Sequence, residues 1–248
     1  MAKQLLIYEN AVPITVDAHK DVSVKAGGNF EFVRNVNSVP IVAAEFAVAS
    51  NDLAIVFAGT EDAVFPSVLL GLESDTCAFV DAQGAWSGEY VPAFMRRYPF
   101  VFAQSGANDD FTLCIDESFD GLNSDGVGER LFDAEGNRTQ YMNGILEFSA
   151  QYQNQYARTK LFCDRLLSLG LLEPAVASYM GDDGQAKRLS GFFRISREKL
   201  KELSTDDLRD MFDKDELELC FVHLRSLGNI SKIGIQSGAV SAEGETLQ

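Results

Sequence analysis

One stretch limits what this chain can fold into more than any other. Starting at Tyr141, the residues Ile145, Phe148, Tyr152, Tyr156, Thr159, Cys163 and Leu166 follow at steps of three and four. That is the period of one α-helix face, and the spacing predicts a helix over 139–169. Gly170 stands where a glycine commonly ends a helix, and Pro174 follows closely. At ~1.5 Å per residue such a helix is on the order of 45 Å long. It must then back the whole protein or pack against another subunit, unless a kink at Gly144 shortens it.

The part before this helix reads differently. Short β-branched and aromatic runs recur at Leu5–Tyr8, Val22–Lys25, Phe30–Val33, Ile41–Val48 and Leu53–Ala58. Further runs lie at Val68–Leu72, Ala78–Val80, Phe100–Ala103 and Phe111–Ile115. Turn residues such as Gly27-Gly28, Ser50-Asn51-Asp52 and Gly59 separate them, the pattern of successive strands. Phe79 to Trp86 reads as a hairpin around Asp81-Ala-Gln-Gly84, with the glycine supplying the positive φ of the return. Residues 116–138 are polar and rich in Gly, Asp and Asn; they read as a loop ending in a second turn at Asp133-Ala-Glu-Gly136. A third such turn, Gly181-Asp-Asp-Gly184, lies between Val176–Met180 and Leu189–Ile195 and predicts another hairpin. The three turns do not recur at a fixed period and are not a repeat.

Beyond the last hairpin, helices are predicted to start at Ser196 and at Ser204, where Asp207 completes a capping-box spacing. A final helix carries Leu217, Cys220, Phe221, Leu224 and Leu227 and is predicted to end at Gly228. The fold class expected is α+β: a β-rich N-terminal half, a long central helix and a small C-terminal unit of hairpin plus helices. The expected regions are 1–118 (β-rich), 119–138 (acidic Gly/Asp-rich loop), 139–234 (helices and hairpin packing on the first) and 235–248 (flexible tail).

Charge narrows the partners. With 37 acidic against 21 basic side chains the chain carries a net −16, which repels nucleic acid and anionic membranes. The tightest basic cluster, Arg96-Arg97, is too small to track a phosphate backbone. No window approaches the roughly 18 apolar residues of a membrane span, and the N-terminal segment, interrupted by Glu9, does not read as a signal peptide. The four cysteines (Cys77, Cys114, Cys163, Cys220) sit apart in apolar runs, the setting of buried thiols in a reducing compartment. A cytoplasmic protein is expected, without nucleic-acid binding or membrane insertion.

The familiar chemistries fail on spacing. Only His19 and His223 exist, and no two cysteines lie within ten residues of each other, so no zinc site is expected. An EF-hand counted from Gly121 or from Gly126 puts Val127 or Phe132 where the bidentate Glu belongs. Gly126-Val-Gly128 lacks a third glycine and a strand–turn–helix frame, and no phosphate-loop run is present. Ser196-Arg-Glu-Lys199 matches the S-x-x-K pattern, but its partner motifs are missing and Ser196 is better read as an N-cap. Cys220 and His223 could meet at i, i+3 on a helix; no third member is visible, and His223 is better read as structural. No catalytic residue, metal or cofactor is expected.

Several segments read in order resemble the SapC family. Among them are Ile41-Val-Ala-Ala-Glu-Phe46, Phe79 to Trp86, Leu113-Cys-Ile-Asp116, Leu131 to Gly136, Gly170-Leu-Leu-Glu-Pro174 and His223-Leu-Arg-Ser-Leu227. The most specific is Tyr90-Val-Pro-Ala-Phe-Met-Arg-Arg-Tyr-Pro-Phe100, and together they span roughly residues 3–232. The resemblance implies association with a bacterial surface layer, not a reaction, and it offers no catalytic residues to carry over. The expectation is a non-enzymatic binding or assembly protein linked to a cell-surface system, with a protein partner or self-association as a homodimer. The alternative is a ligand-binding auxiliary or enzyme whose site is built around Arg96, Arg97, Tyr98 and Glu45. On the residues alone, Tyr90, Phe94, Tyr98 and Phe100 anchor a Pro-stiffened segment to the core, and Arg96 or Arg97 pairs with a buried Glu45.

Overall fold

A computed structural model describes residues 6–25, 27–104, 111–180 and 185–236, with side chains to 234. In chain order the elements begin β1 (Ala11–Pro13), α1 (Val16–His19), β2 (Ser23–Val24), β3 (Ser38–Pro40), α2 (Phe46–Ala49), β4 (Ala54–Thr60) and β5 (Ala63–Leu69). Next come α3 (Ala93–Arg96), β6 (Phe100–Gln104), β7 (Phe111–Asp116), β8 (Leu122–Asn123), β9 (Glu129–Arg130) and α4 (Gln140–Ser168). The chain continues through β10 (Leu172–Met180), β11 (Ala186–Ile195), α5 (Arg197–Lys201), α6 (Thr205–Asp213), α7 (Glu216–Ser226) and α8 (Ile230–Gln236). The architecture is α+β with a long central helix. Among the described residues no helix is long and apolar enough to cross a membrane.

Contacts divide the chain into two interleaved units, residues 1–29 with 94–154 and residues 30–93 with 155–248. The first unit holds two three-stranded sheets, of order β1-β7-β6 and β8-β2-β9. Its core gathers Val24, Phe100, Leu113, Ile115, Leu131, Phe132 and Met142, all under a tenth exposed. Ile14, Phe102, Tyr141, Ile145 and Leu146 pack on this core while staying only partly buried. The second unit holds one antiparallel sheet of order β10-β11-β4-β5-β3. Phe46, Phe57, Ile41, Leu53, Ile55 and Leu166 are fully buried there.

Helix α4 serves both units in turn. In its first half Met142 enters the core of the first unit. In its second half Phe162 packs edge-on against Phe46 and Tyr156 stacks on Phe65 at 4.4 Å. Thr139 accepts a hydrogen bond from the Met142 amide and caps the start. At the far end the Leu171 amide donates to the Leu166 carbonyl and the Gly170 amide to Leu167, the Schellman pattern, with Gly170 at φ 64°. The helix runs unbroken through Gly144, so no shortening occurs there.

Several local expectations change. Phe30–Val33 is not a strand, because Glu31–Val33 form a 3-10 turn. Ile41–Val48 also leaves the sheet: β3 stops at Pro40, Ala43–Glu45 make a 3-10 turn and α2 follows. A short, fully apolar run reads alike as buried strand or buried helix, and the alanines here favour the helix. Leu6–Tyr8 form no strand (Leu5 is outside the described residues), and Ala78–Val80 reduces to the single bridge Val80–Trp86. The 116–138 segment is more organised than a loop, since β8 and β9 flank β2 within it. Helix α7 passes through a 3-10 turn at Leu227–Asn229 into α8 and does not end at Gly228. Strands β10 and β11 pair as expected; the Gly181–Gly184 turn and the tail beyond residue 236 lie outside the described residues.

Candidate functional site

The residues singled out from the sequence fall in different units. Glu45 belongs to the second, where it is buried and fully engaged. One carboxylate oxygen accepts from the Tyr90 hydroxyl and the Ala93 amide, both at 2.7 Å, and the other from the Val42 amide at 3.0 Å. These three donors tie the turn before α2 to the segment leading into α3, and they satisfy a charge that burial would otherwise penalise.

Arg96, Arg97 and Tyr98 belong to the first unit. The Arg97 guanidinium lies 4.5 Å from the Phe94 ring centre, 4.7 Å from that of Tyr152 and 5.8 Å from that of Tyr8. Ring faces carry negative charge density, so this aromatic box holds the cation. Arg96 sits over Phe148 at 5.4 Å. Tyr98 packs on Tyr8 and, edge to face, on Phe119, both at 5.4 Å. Burial, partly offset by Arg97, pushes the Tyr8 phenol up to about 12, and its hydroxyl donates to the Phe100 carbonyl at 2.7 Å. Burial and the neighbouring Asp116 push Tyr98 to about 12 as well. Neither phenol supplies a base at neutral pH. Asp116 itself is fully buried: burial alone would raise its carboxyl, but the Ser118 hydroxyl and the amides of Glu9, Asn10 and Ser118 hold it below the usual range.

His223 and two of the cysteines are also committed to structure. His223 is completely buried in the second unit, its ring tilted against that of Phe57 with centres 5.0 Å apart. Its Nε2 accepts from the Ile195 amide at 3.1 Å, which requires the proton on Nδ1. Burial pushes this imidazole down to about 3, so it stays neutral. The thiols of Cys163 and Cys220 are pushed up to about 12 by burial, which removes the thiolate that nucleophilic chemistry needs. All four cysteines are free.

What sequence reasoning missed is a groove in the first unit, open to solvent, with a volume of about 540 Å³. Its walls include Leu113, Phe132 and Met142 from the core and the partly buried Ile14, Phe102 and Leu146. Val16 and Phe111, each 40% exposed, line it too, although large apolar side chains usually find cover. The second Asp-Ala-x-Gly turn shapes one part of this lining. Its Asp133 amide donates to the Asn137 carbonyl at 2.9 Å, Gly136 takes φ 85°, and a bridge pairs Phe132 with Arg138. Gly136 and Arg138 thereby join the lining on either side of Asn137. The residues around this turn are mostly polar, and the apolar lining comes from positions far apart in the chain, so no local signal in the sequence could have found the groove.

Among curated proteins and among solved structures, nothing matches the chain. Among protein families, SapC matches over residues 14–233. That stretch contains both units' cores, the Tyr90–Phe100 segment and the groove. The chain belongs to the SapC family.

Proposed function

We propose that this chain is a non-enzymatic binding protein of the SapC type, and that its binding surface is the apolar groove of the first unit. The observation that carries the reading is the groove itself: about 540 Å³, within the roughly 300–1,000 Å³ of small-molecule sites, lined mainly by apolar side chains. The chemistry of the buried groups points the same way. A neutral His223, protonated Cys163 and Cys220 and phenols at about 12 favour binding over catalysis. Binding of a neutral naphthylamine probe tests the reading. Its fluorescence should rise with the native chain and fall several-fold in Leu146→Trp, which fills the groove from a partly buried position. Equal signal from both proteins would refute the assignment.

The same proposal keeps the role in a cell-surface system that the resemblance implies, reached from the cytoplasm, and self-association as its working form. In the second unit Leu161, Phe212 and Phe221 are 69%, 62% and 48% exposed, which favours cover by another protein surface. The alternative site around Arg96, Arg97, Tyr98 and Glu45 has less in its favour, since Glu45 is filled by three donors and aromatic rings enclose the Arg97 guanidinium.

A further inference from the structure

The groove is apolar, yet one charged side chain lines it. Arg138 is exposed, and it makes no ion pair with another described residue. What sets Arg138 apart is its place: it is the one charged residue in the groove's lining. The bridge to Phe132 fixes the backbone of Arg138 beside a ring that itself lines the groove. An apolar trough with one guanidinium that forms no ion pair among the described residues is complementary to a molecule with an apolar chain and one anionic end. A carboxylate matches the two parallel N–H donors of the guanidinium.

We infer that the groove binds a single-chain monocarboxylate amphiphile, its alkyl chain against Phe102, Phe132, Met142 and Leu146 and its carboxylate on Arg138. The inference rests on the groove being the binding surface. No covalent step is involved, and the anion is held by charge-assisted hydrogen bonds while the chain leaves water.

Calorimetric titration of the full chain with octanoate, decanoate, dodecanoate and the neutral decanol, all below their aggregation limits, tests this. Each methylene from octanoate to dodecanoate should tighten binding about four-fold, the equivalent of ~0.8 kcal/mol. Decanoate should bind at least about ten-fold tighter than decanol, as a charge-assisted pair implies. Arg138→Gln, a change at an exposed position, should lose that ten-fold preference while keeping its affinity for decanol. If decanoate and decanol bind equally, or if Arg138→Gln binds decanoate as the native chain does, the carboxylate assignment is overturned and the apolar groove stands. If neither compound binds, the groove assignment itself is overturned.

Discussion

Glu45 shows how a buried charge can be mistaken for half of a site. Its apolar neighbours made burial legible in the sequence, and burial demanded partners. The natural inference was a nearby arginine, because linear order cannot reveal that two main-chain amides and a phenol will fill the carboxylate instead. Replacing it with alanine takes the acceptor from two buried main-chain donors, the amides of Val42 and Ala93. Glu45→Ala should cost about 2–4 kcal/mol in urea unfolding, and Glu45→Gln markedly less, because the amide oxygen still accepts. His223 provides a second test at this scale. Its pKa is depressed in the folded chain, so the unfolded chain binds a proton first as the pH falls below about 6.5. Its contribution to stability is therefore present above that pH and lost on the way down to about 3. Unfolding free energies measured across this window should decline with a slope of up to about 1.4 kcal/mol per pH unit from this residue, beyond the carboxylates' share. In His223→Gln that part of the slope should vanish.

Among the elements, α4 was the most legible, because a 3.6-residue period sustained over 29 residues has no competing explanation. Its length raised the question of what it packs on, and the answer is one core for each half. Its glycines separate two roles that the sequence alone confuses. Gly144 is helical and exposed with open space around it, so Gly144→Ala should stabilise the chain by about 0.5–1 kcal/mol. Gly170 holds φ 64° in the Schellman turn, and Gly170→Ala should cost roughly 1–2 kcal/mol. Thermal melts of the two variants should therefore move in opposite directions. The β-rich part was read less well for a related reason. Short apolar runs such as Ile41–Val48 carry no period that separates strand from helix, so packing decided there what sequence could not. The turn at Asp81–Gly84 was legible because its chemistry is local, although its arms meet only at the Val80–Trp86 bridge: the Asp81 carboxylate accepts from the amides of Gln83 and Ala85 at 2.9 and 2.8 Å.

At the scale of the molecule, the family was readable from ordered segments spread along the chain, whereas the interleaving of two units was not. Residues 1–29 join 94–154 through strand pairings such as β1 with β7, whose partners lie about a hundred positions apart. The groove escaped for the same reason, since Ile14, Phe102, Phe132 and Leu146 come together only through that pairing. Self-association also belongs to this scale. Light scattering at micromolar concentration should read a dimer, and Phe212→Asp should yield a monomer; a native chain that is monomeric under these conditions would rule self-association out. The central claim, that the groove of the first unit is where this protein binds its ligand, is tested most directly by methyl NMR of the full chain during titration with decanol. The account predicts saturable shifts at the methyls of Ile14, Leu113, Met142 and Leu146, with the second unit's Leu53, Ile55 and Leu70 unmoved. Shifts confined to the second unit, or none at any methyl at saturating decanol, would contradict it.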